Sequence, residues 1–415
     1  MDNITEKLVT PLATDKEYDI VIVGGGPGGV VAALAAARHG SKVLIIEKAE
    51  MLGGLATLGM VCLFEPICDG RGRKITKGIV EEMLHLSIKY SYSNLPYTWN
   101  QGVDYVKEPE NTPGLKSYPY FNIKGRYATI FNMPAFTLAM EELVLSEGID
   151  VIYDTRFCDV VMDGNVCKGV IVENLTGRSF YRGKIIIDGS GYGVVFSRAG
   201  VKMEKGENFL TTCFVETDFK SMEEAIKTED MTCGLRWGGV GYNLLQEGSN
   251  ISPKKYYGTT TEEINEYVID SHKAALAHIK TQGKDYAMVS LAGIANLRKC
   301  NRIFGRESVL EENAFAFNES SIGCVSDWRG IGSTYEVPYG CLLDTKIKNI
   351  LAVGRIVSAV GDTWDVLRCY PGAMLTGQAA GTAAALAVRD GISPDDISIP
   401  ALQKMLEADN VMLHL

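Results

Sequence analysis

Short apolar runs alternate along this chain with small-residue stretches of helical period, and that alternation sets the elements to expect. Residues 20–23 are apolar without interruption, as a strand buried on both faces requires. They run into Gly24-Gly25-Gly26-Pro27-Gly28-Gly29, then a small-residue helical run, 30–37, and a second apolar run, 43–46, that closes on Glu47. Spacing at 79–90 predicts an amphipathic helix. A helix over 132–146 follows, with Asn132 as its cap, Pro134 in its first turn and Gly148 beyond its end. Runs at 150–153, 158–163 and 167–173 read as strands, the last two joined by the turn Asp163-Gly164-Asn165. The run 184–188 is a buried-type strand broken by 189–193, and 260–281 is helical in pattern. Later, 342–343 and 350–353 are strand-like and 376–389 is a small-residue helix. Three stretches lack periodicity: 1–17, a polar lead-in suited to contacting a partner; 91–127, a Tyr-, Asn-, Pro- and Gly-rich insertion or lid; and 238–241, a glycine-rich loop.

Strand, glycine turn, helix, strand and acid in residues 18–47 form the order a dinucleotide needs. Gly24 permits the tight turn, Gly26 lets backbone approach a pyrophosphate, and Gly29 allows close helix–strand packing. The helix N-terminus turns free N–H groups and a positive dipole end toward the phosphates. Glu47 would accept hydrogen bonds from the adenosine ribose.

Length and charge narrow the class. At 415 residues the chain exceeds one ordinary core, so two intertwined domains are expected. The balance of 41 basic against 51 acidic residues, a net charge of −10, argues against a nucleic-acid or anionic-membrane partner. Ten cysteines without a CxxC pair read as thiols in a reducing compartment. None of the five histidines pairs with them at zinc spacing, so no metal is expected. The N-terminus lacks a signal-peptide pattern and no apolar run reaches the ~20 residues that span a bilayer. A cytoplasmic location is the resulting expectation. The apolar tail 411–415 points to burial against another surface, a second copy of the chain among the candidates.

Three separated glycine-centred segments carry a family resemblance. They are 24–29 with Glu47; Ile187-Asp188-Gly189-Ser190-Gly191; and Leu351-Ala352-Val353-Gly354-Arg355 with Leu367-Arg368-Cys369-Tyr370-Pro371-Gly372, leading into 377–383. Together they resemble the FAD-dependent oxidoreductases of the glutathione-reductase-like flavoprotein superfamily, in a branch related to fumarate-reductase flavoprotein subunits. The resemblance covers about two-thirds of the chain. It implies an α/β fold: a Rossmann-like FAD-binding domain with a central parallel sheet plus β-meander, and an inserted α+β substrate or cap domain. The FAD domain would comprise 1–90, 128–200 and 336–397, the cap 91–127 and 201–335, and 398–415 a C-terminal helix and tail.

The same resemblance implies a cofactor set. Gly24, Gly26, Pro27, Gly28 and Gly29 would cradle the pyrophosphate, with Glu47 and Lys48 at the adenosine end. Gly53, Gly54, Ala56 and Thr57 would pass beside the flavin ring, and Val160 would meet adenine through its backbone. Asp188, Gly189 and Gly191 would close over the phosphates, and Gly354 and Arg355 would sit near the ribityl chain. The helix opening at Pro371 and Gly372, and continuing through Met374 and Gly377, would aim its N–H groups at the flavin N1 and C2 carbonyl.

For catalysis the candidates are Tyr339, Asp362, Arg368, Cys369 and Tyr370. A tyrosine or aspartate would move the proton that accompanies hydride transfer, and Arg368 would hold an anion. The arginines of 301–306 would bind a substrate carboxylate or form ion pairs at a domain seam. Two departures from the resemblance, no histidine before Arg368 and Gly340 at a position often arginine, count against a fumarate-like dicarboxylate reaction. Cys62 and Cys68 are separated by five residues rather than the four of a redox pair. No second GxGxxG is present for NAD(P)H, which leaves the electron donor or acceptor unidentified. The expectation is an FAD-dependent oxidoreductase moving a hydride between flavin N5 and a small organic substrate. The alternatives are an electron-transfer flavoprotein subunit and a flavin monooxygenase.

Overall fold

The apolar runs assemble into one seven-stranded sheet. The structure is a computed structural model and describes residues 13–69, 73–91, 129–241, 254–328 and 333–415. The lead-in up to 12 and the 92–127 part of the expected lid lie outside the described residues. Asp150–Ile152, Val43–Ile46, Ala13–Val23 and Gly177–Asp188 lie side by side in parallel, and Ile350–Ala352 joins Gly177–Asp188 in the same sense. Arg156–Asp163, Val166–Asn174 and Gly177–Asp188 form an antiparallel meander. Register sets Val23 against both Ile46 and Asp188, so three parallel strands end level beside the glycine turn. Crevices at the carboxyl ends of such strands are where α/β sheets bind ligands.

Two helices explain the small residues. Pro27–Arg38 and Tyr370–Asp390 cross almost backbone to backbone. A Cβ on Gly377 would lie 2.3 Å from the Gly28 carbonyl oxygen, and one on Gly381 only 2.2 Å from that of Ala32. Residues 370–387 are buried on every side, so this helix runs through the core, and its composition follows from having no solvent face.

A smaller three-stranded sheet, Arg236–Gly241, Thr211–Asp218 and Tyr286–Leu291, is antiparallel and carries the helix Thr261–Lys280. That helix starts in a capping box, Thr260 with Glu263. Leu210, Tyr256, Tyr267, Ala295, Leu297 and Cys300 form its own cluster. Cys213 and Trp237 instead join the main core, which seats this sheet on the larger body.

Three sequence expectations change. The glycines of 238–241 sit in a strand, not a loop: Gly238 lies against the Phe214 ring, where a Cβ would come within 2.7 Å, so glycine marks a close approach rather than a turn. The first strand begins at Ala13, before Tyr18, because Gly177–Asp188 is long enough to pair with it. The apolar tail is covered by its own chain: Val411 and Leu413 are buried, and Ser321 Oγ donates to the Leu413 carbonyl at 2.6 Å.

Candidate functional site

A cavity of about 530 Å³ opens at the level ends of the parallel strands. Gly24, Gly26, Pro27 and Gly28 line it together with Glu47, Lys48, Gly54, Leu55 and Leu58. Gly189 and Gly191 face the glycine turn, and Gly354, Arg355, Arg368 and Tyr370 complete this body's side. The smaller sheet's helix adds Thr260, Thr261 and Ile264 to the lining. Most of the sequence-expected set therefore meets in one place.

The turn is built by contact between glycines. Gly24 has φ +103°, and a Cβ there would lie 2.6 Å from the Gly189 oxygen. A Cβ on Gly29 would lie 2.0 Å from the Gly24 oxygen, which only glycine avoids. Glu47 is buried and accepts from Gly25 N at 2.7 Å and Ala49 N at 2.9 Å, one bond per oxygen. Each oxygen keeps a lone pair for a further donor such as a ribose hydroxyl.

Positive charge gathers around Tyr192. The Arg355 guanidinium lies 4.7 Å from its ring centroid and the Lys48 ammonium 5.1 Å. Arg355 also donates to the Gly191 carbonyl at 2.5 Å and to that of Leu297. Withdrawal from bulk water, with Arg355 and Arg156 nearby and Glu47 opposing, lowers the Lys48 ammonium. A withdrawn ammonium beside a second cation suits an anionic ligand.

Several expected residues lie elsewhere. Val160 is off the cavity wall and its N–H bonds Asp159 Oδ1 at 2.9 Å; Arg156 and Phe157, earlier on the same strand, line the cavity instead. Asp188 is fully buried and accepts from Ser190 Oγ at 2.5 Å and Val195 N at 2.9 Å, so it shapes the 189–195 loop from behind. Ala56 is buried, and Thr57 Oγ1 donates to the Leu52 carbonyl at 2.7 Å within its own turn, where a Cβ on Gly53 would meet the Thr57 side chain. Gly372 packs on Leu367, Met374 is in the core and Gly377 holds the helix crossing; Ala373 is the residue that faces the cavity.

Of the catalytic candidates only Arg368 and Tyr370 reach the cavity. Asp362 is exposed at the start of the helix Asp362–Leu367, off the cavity wall. Cys369 is buried and its Sγ donates to the Asp365 carbonyl. Tyr339 donates to the Pro394 carbonyl at 3.0 Å, deep in the core. Tyr339→Phe is therefore expected to cost about 1–2 kcal/mol in urea unfolding, for the acceptor left behind, while flavin content and turnover stay within about twofold. The arginines of 301–306 are committed as ion pairs, Arg302 with Glu204 and Arg306 with Asp395 at 2.6 Å.

Tertiary structure adds groups that no motif marked. Glu65 is 9% exposed and accepts from Tyr370 N at 3.2 Å, so a carboxyl group takes the first N–H of the helix Tyr370–Asp390. Burial raises that carboxyl, and the helix N–H and Arg368 oppose the rise. Its one sequence signal was an acid inside the apolar stretch 61–67. Asp365 bridges Arg368 at 2.6 Å and Lys299 at 2.9 Å. Tyr370 donates to the Val61 carbonyl at 2.6 Å. Among the described residues no group of three or more His, Cys, Asp or Glu could hold a metal ion, and no helix is long and apolar enough to cross a membrane. No disulfide joins any of the ten cysteines.

Parallel strands, a glycine turn at a helix start and an acid at the next strand end define a dinucleotide-binding α/β protein. The chain belongs to the FAD dependent oxidoreductase family, which it matches over residues 19–290 and 319–406. It is an oxidoreductase, and FAD is its cofactor. Over 202 residues it is 26% identical to digeranylgeranylglycerophospholipid reductase 2 of Methanococcoides burtonii, covering 47% of this chain and 43% of that protein. Over 40 residues, 10% of this chain and 12% of the relative, it is 62% identical to dihydrolipoyl dehydrogenase of Acholeplasma laidlawii. These matches thus span less than half the length of either relative. A geranylgeranyl bacteriochlorophyll reductase-like protein from Thermoplasma acidophilum shares the fold, with a TM-score of 0.50 and 14% identity over 95% of this chain and 83% of that one.

Proposed function

We propose that the cavity between the two sheets holds FAD and admits a small organic substrate, to or from which a hydride passes at flavin N5. The observation that carries this reading is the composition of one cavity, which is lined both by the nucleotide-type turn with Glu47 and by the start of the smaller sheet's helix. Bound flavin supplies the two-electron chemistry; the chain's residues hold and orient. Gly24, Gly26, Pro27, Gly28, Gly189 and Gly191 would cradle the pyrophosphate, Glu47 and Lys48 the adenosine end, and Gly354 and Arg355 the ribityl chain. Gly54, Leu55 and Leu58 would flank the ring. Arg368, fixed by Asp365, and Tyr370, fixed by Val61, would close the substrate side and exclude water. In domain terms, 1–90, 128–200 and 336–397 would form the flavin body, 91–127 and 201–335 the cap, and 398–415 a C-terminal helix and tail.

The relation to glutathione-reductase-like flavoproteins, with a fumarate-reductase branch, belongs to the same proposal. The match to a protein named as a reductase favours reduction of the substrate over oxidation. The test is direct. The purified protein is expected to be yellow with flavin absorption bands, to be reduced anaerobically by a donor, and to be reoxidised by a member of a panel of unsaturated metabolites. A flavin that no small molecule bleaches or reoxidises would instead indicate an electron-transfer subunit. Oxygen uptake coupled to hydroxylation of a panel compound would indicate a monooxygenase.

A further inference from the structure

We propose that Tyr192 is a positioning residue for the cofactor's phosphates, its ring holding Arg355 and Lys48 where both cations meet that charge. The inference rests on the flavin-site reading and adds to it a residue outside the glycine motifs. Tyr192, Arg355 and Lys48 all line the one cavity. The Arg355 guanidinium lies 4.7 Å from the Tyr192 ring centroid and the Lys48 ammonium 5.1 Å. Both fall inside the ~6 Å within which a ring face attracts a cation. Among the described residues no carboxylate forms an ion pair with either, whereas Arg302, Arg306 and Arg368 each have one. The charge of Arg355 also acts against that of Lys48. Two repelling cations stay side by side only where something holds them, and the ring they share does so.

The ring is itself fixed from two directions. Tyr192 N donates to Ser190 Oγ at 3.2 Å, and its carbonyl accepts from Asn301 Nδ2 at 2.9 Å. Its side chain packs against the smaller sheet's cluster of Leu210, Tyr256, Tyr267 and Leu297. Leu297 serves twice, because its carbonyl also accepts from Arg355. A second Arg355 N–H goes to the Gly191 carbonyl at 2.5 Å, and Trp364 Nε1 donates to the Arg355 carbonyl at 2.7 Å. A Cβ on Gly191 would come within 2.7 Å of Arg355 Nε, so the glycine before Tyr192 keeps the guanidinium's place open. A guanidinium carries five N–H donors, and two given to carbonyls leave others for anionic oxygens. Arginine meets a phosphate as a fork and lysine as a point charge. Lys48 stands on the adenosine side of the proposed cofactor and Arg355 on the ribityl side, so the phosphates between are the charges both can reach. Two cations suit the two charges of a pyrophosphate, whereas a single carboxylate leaves one of them unmatched.

The experiment measures FAD dissociation from the full chain by flavin fluorescence, at low and high salt, with inorganic pyrophosphate and acetate as competitors. Wild type is expected to release FAD to pyrophosphate at concentrations where acetate has no effect. Tyr192→Leu is expected to weaken FAD binding by about tenfold at low salt, and by about threefold or less at ~1 M salt, where exposed charges are screened. Tyr192→Phe keeps the ring and loses the hydroxyl, so it is expected to bind within about threefold of wild type. In a Lys48→Met background Tyr192→Leu is expected to cost less than it does alone, since part of what the ring holds is already gone. Wild-type affinity in Tyr192→Leu overturns the proposal. So does a defect that ignores salt and adds fully to that of Lys48→Met, which marks a ring that only fills space. Tyr192→Phe binding as weakly as Tyr192→Leu assigns the effect to the hydroxyl and overturns it too. The competition needs no variant to fold: pyrophosphate no more effective than acetate on wild type overturns the proposal by itself. A colourless protein that takes up no added FAD removes the underlying reading instead, and is recognised before any variant is made.

Discussion

Gly29→Val is expected to give a protein that retains no flavin after desalting and that melts well below wild type. The first valine carbon would sit 2.0 Å from the Gly24 carbonyl oxygen and 3.4 Å from the Ile22 side chain. The nearest obstacle is backbone, not the end of a flexible side chain, so the helix Pro27–Arg38 must lift from the sheet or the turn must open. Overpacking of this kind costs about 1–3 kcal/mol even where side chains can give, and more where they cannot. Either relief also moves the helix start from the cavity wall, so nucleotide affinity falls with stability, and the stabilisation that bound ligand lends by mass action is lost too. Gly40→Ala is the control. Gly40 also has positive φ, +86°, but nothing lies within 4 Å of the added carbon, so it should cost about 1 kcal/mol and leave the flavin in place. Flavin absorbance per protein and a thermal melt with and without added FAD distinguish the two outcomes. Equal loading of both variants would show that the turn does not hold the nucleotide.

Asp365→Asn is the second large effect. The carboxylate lies between Lys299 and Arg368, with side chains only 18%, 16% and 7% exposed for Lys299, Asp365 and Arg368. Asparagine keeps the shape and removes the charge, leaving two cations facing each other with little water. Breaking a buried pair by removing one partner costs about 3–5 kcal/mol, and that loss is expected in urea unfolding near neutral pH. Arg368 would also lose its anchor at the cavity wall, so turnover should fall even at temperatures where the variant remains folded.

The pH dependence has a definite sign. Burial alone would raise the Asp365 carboxyl, but Arg368 and Lys299 outweigh it and bring it from 3.8 to about 2. A depressed folded-state value means the contribution is fully present above about pH 4 and is lost as pH falls toward 2. The gap between wild type and Asp365→Asn should thus narrow by ~2 kcal/mol over that interval. A gap that stays constant down to pH 2 would mean that the carboxylate carries no such charge interaction.

Local pattern carried the flavin body's elements and the cofactor class. Strands, turn, helix and Glu47 are neighbours in sequence, and their periodicity is a property of the backbone itself, so 18–47 could be read directly. The helix at 132–146 and the hairpin around Gly164 followed in the same way from a cap and a turn. The residues that misled did so where a side chain's partner lies far along the chain. Tyr339 was a candidate for moving a proton, yet its hydroxyl donates to the Pro394 carbonyl. Gly377 looked like a cofactor residue, yet what requires glycine there is the backbone of Gly28. Glu65 carried no motif, because its significance comes from burial, and burial is fixed by how distant segments pack. The chain alone thus determined which nucleotide-binding frame would form and what kind of cofactor it suits, since close approach of backbone to phosphate demands glycine at set spacings. Only the tertiary structure decided which polar groups stand at the cavity and which serve the core, since that choice depends on contacts between segments hundreds of residues apart.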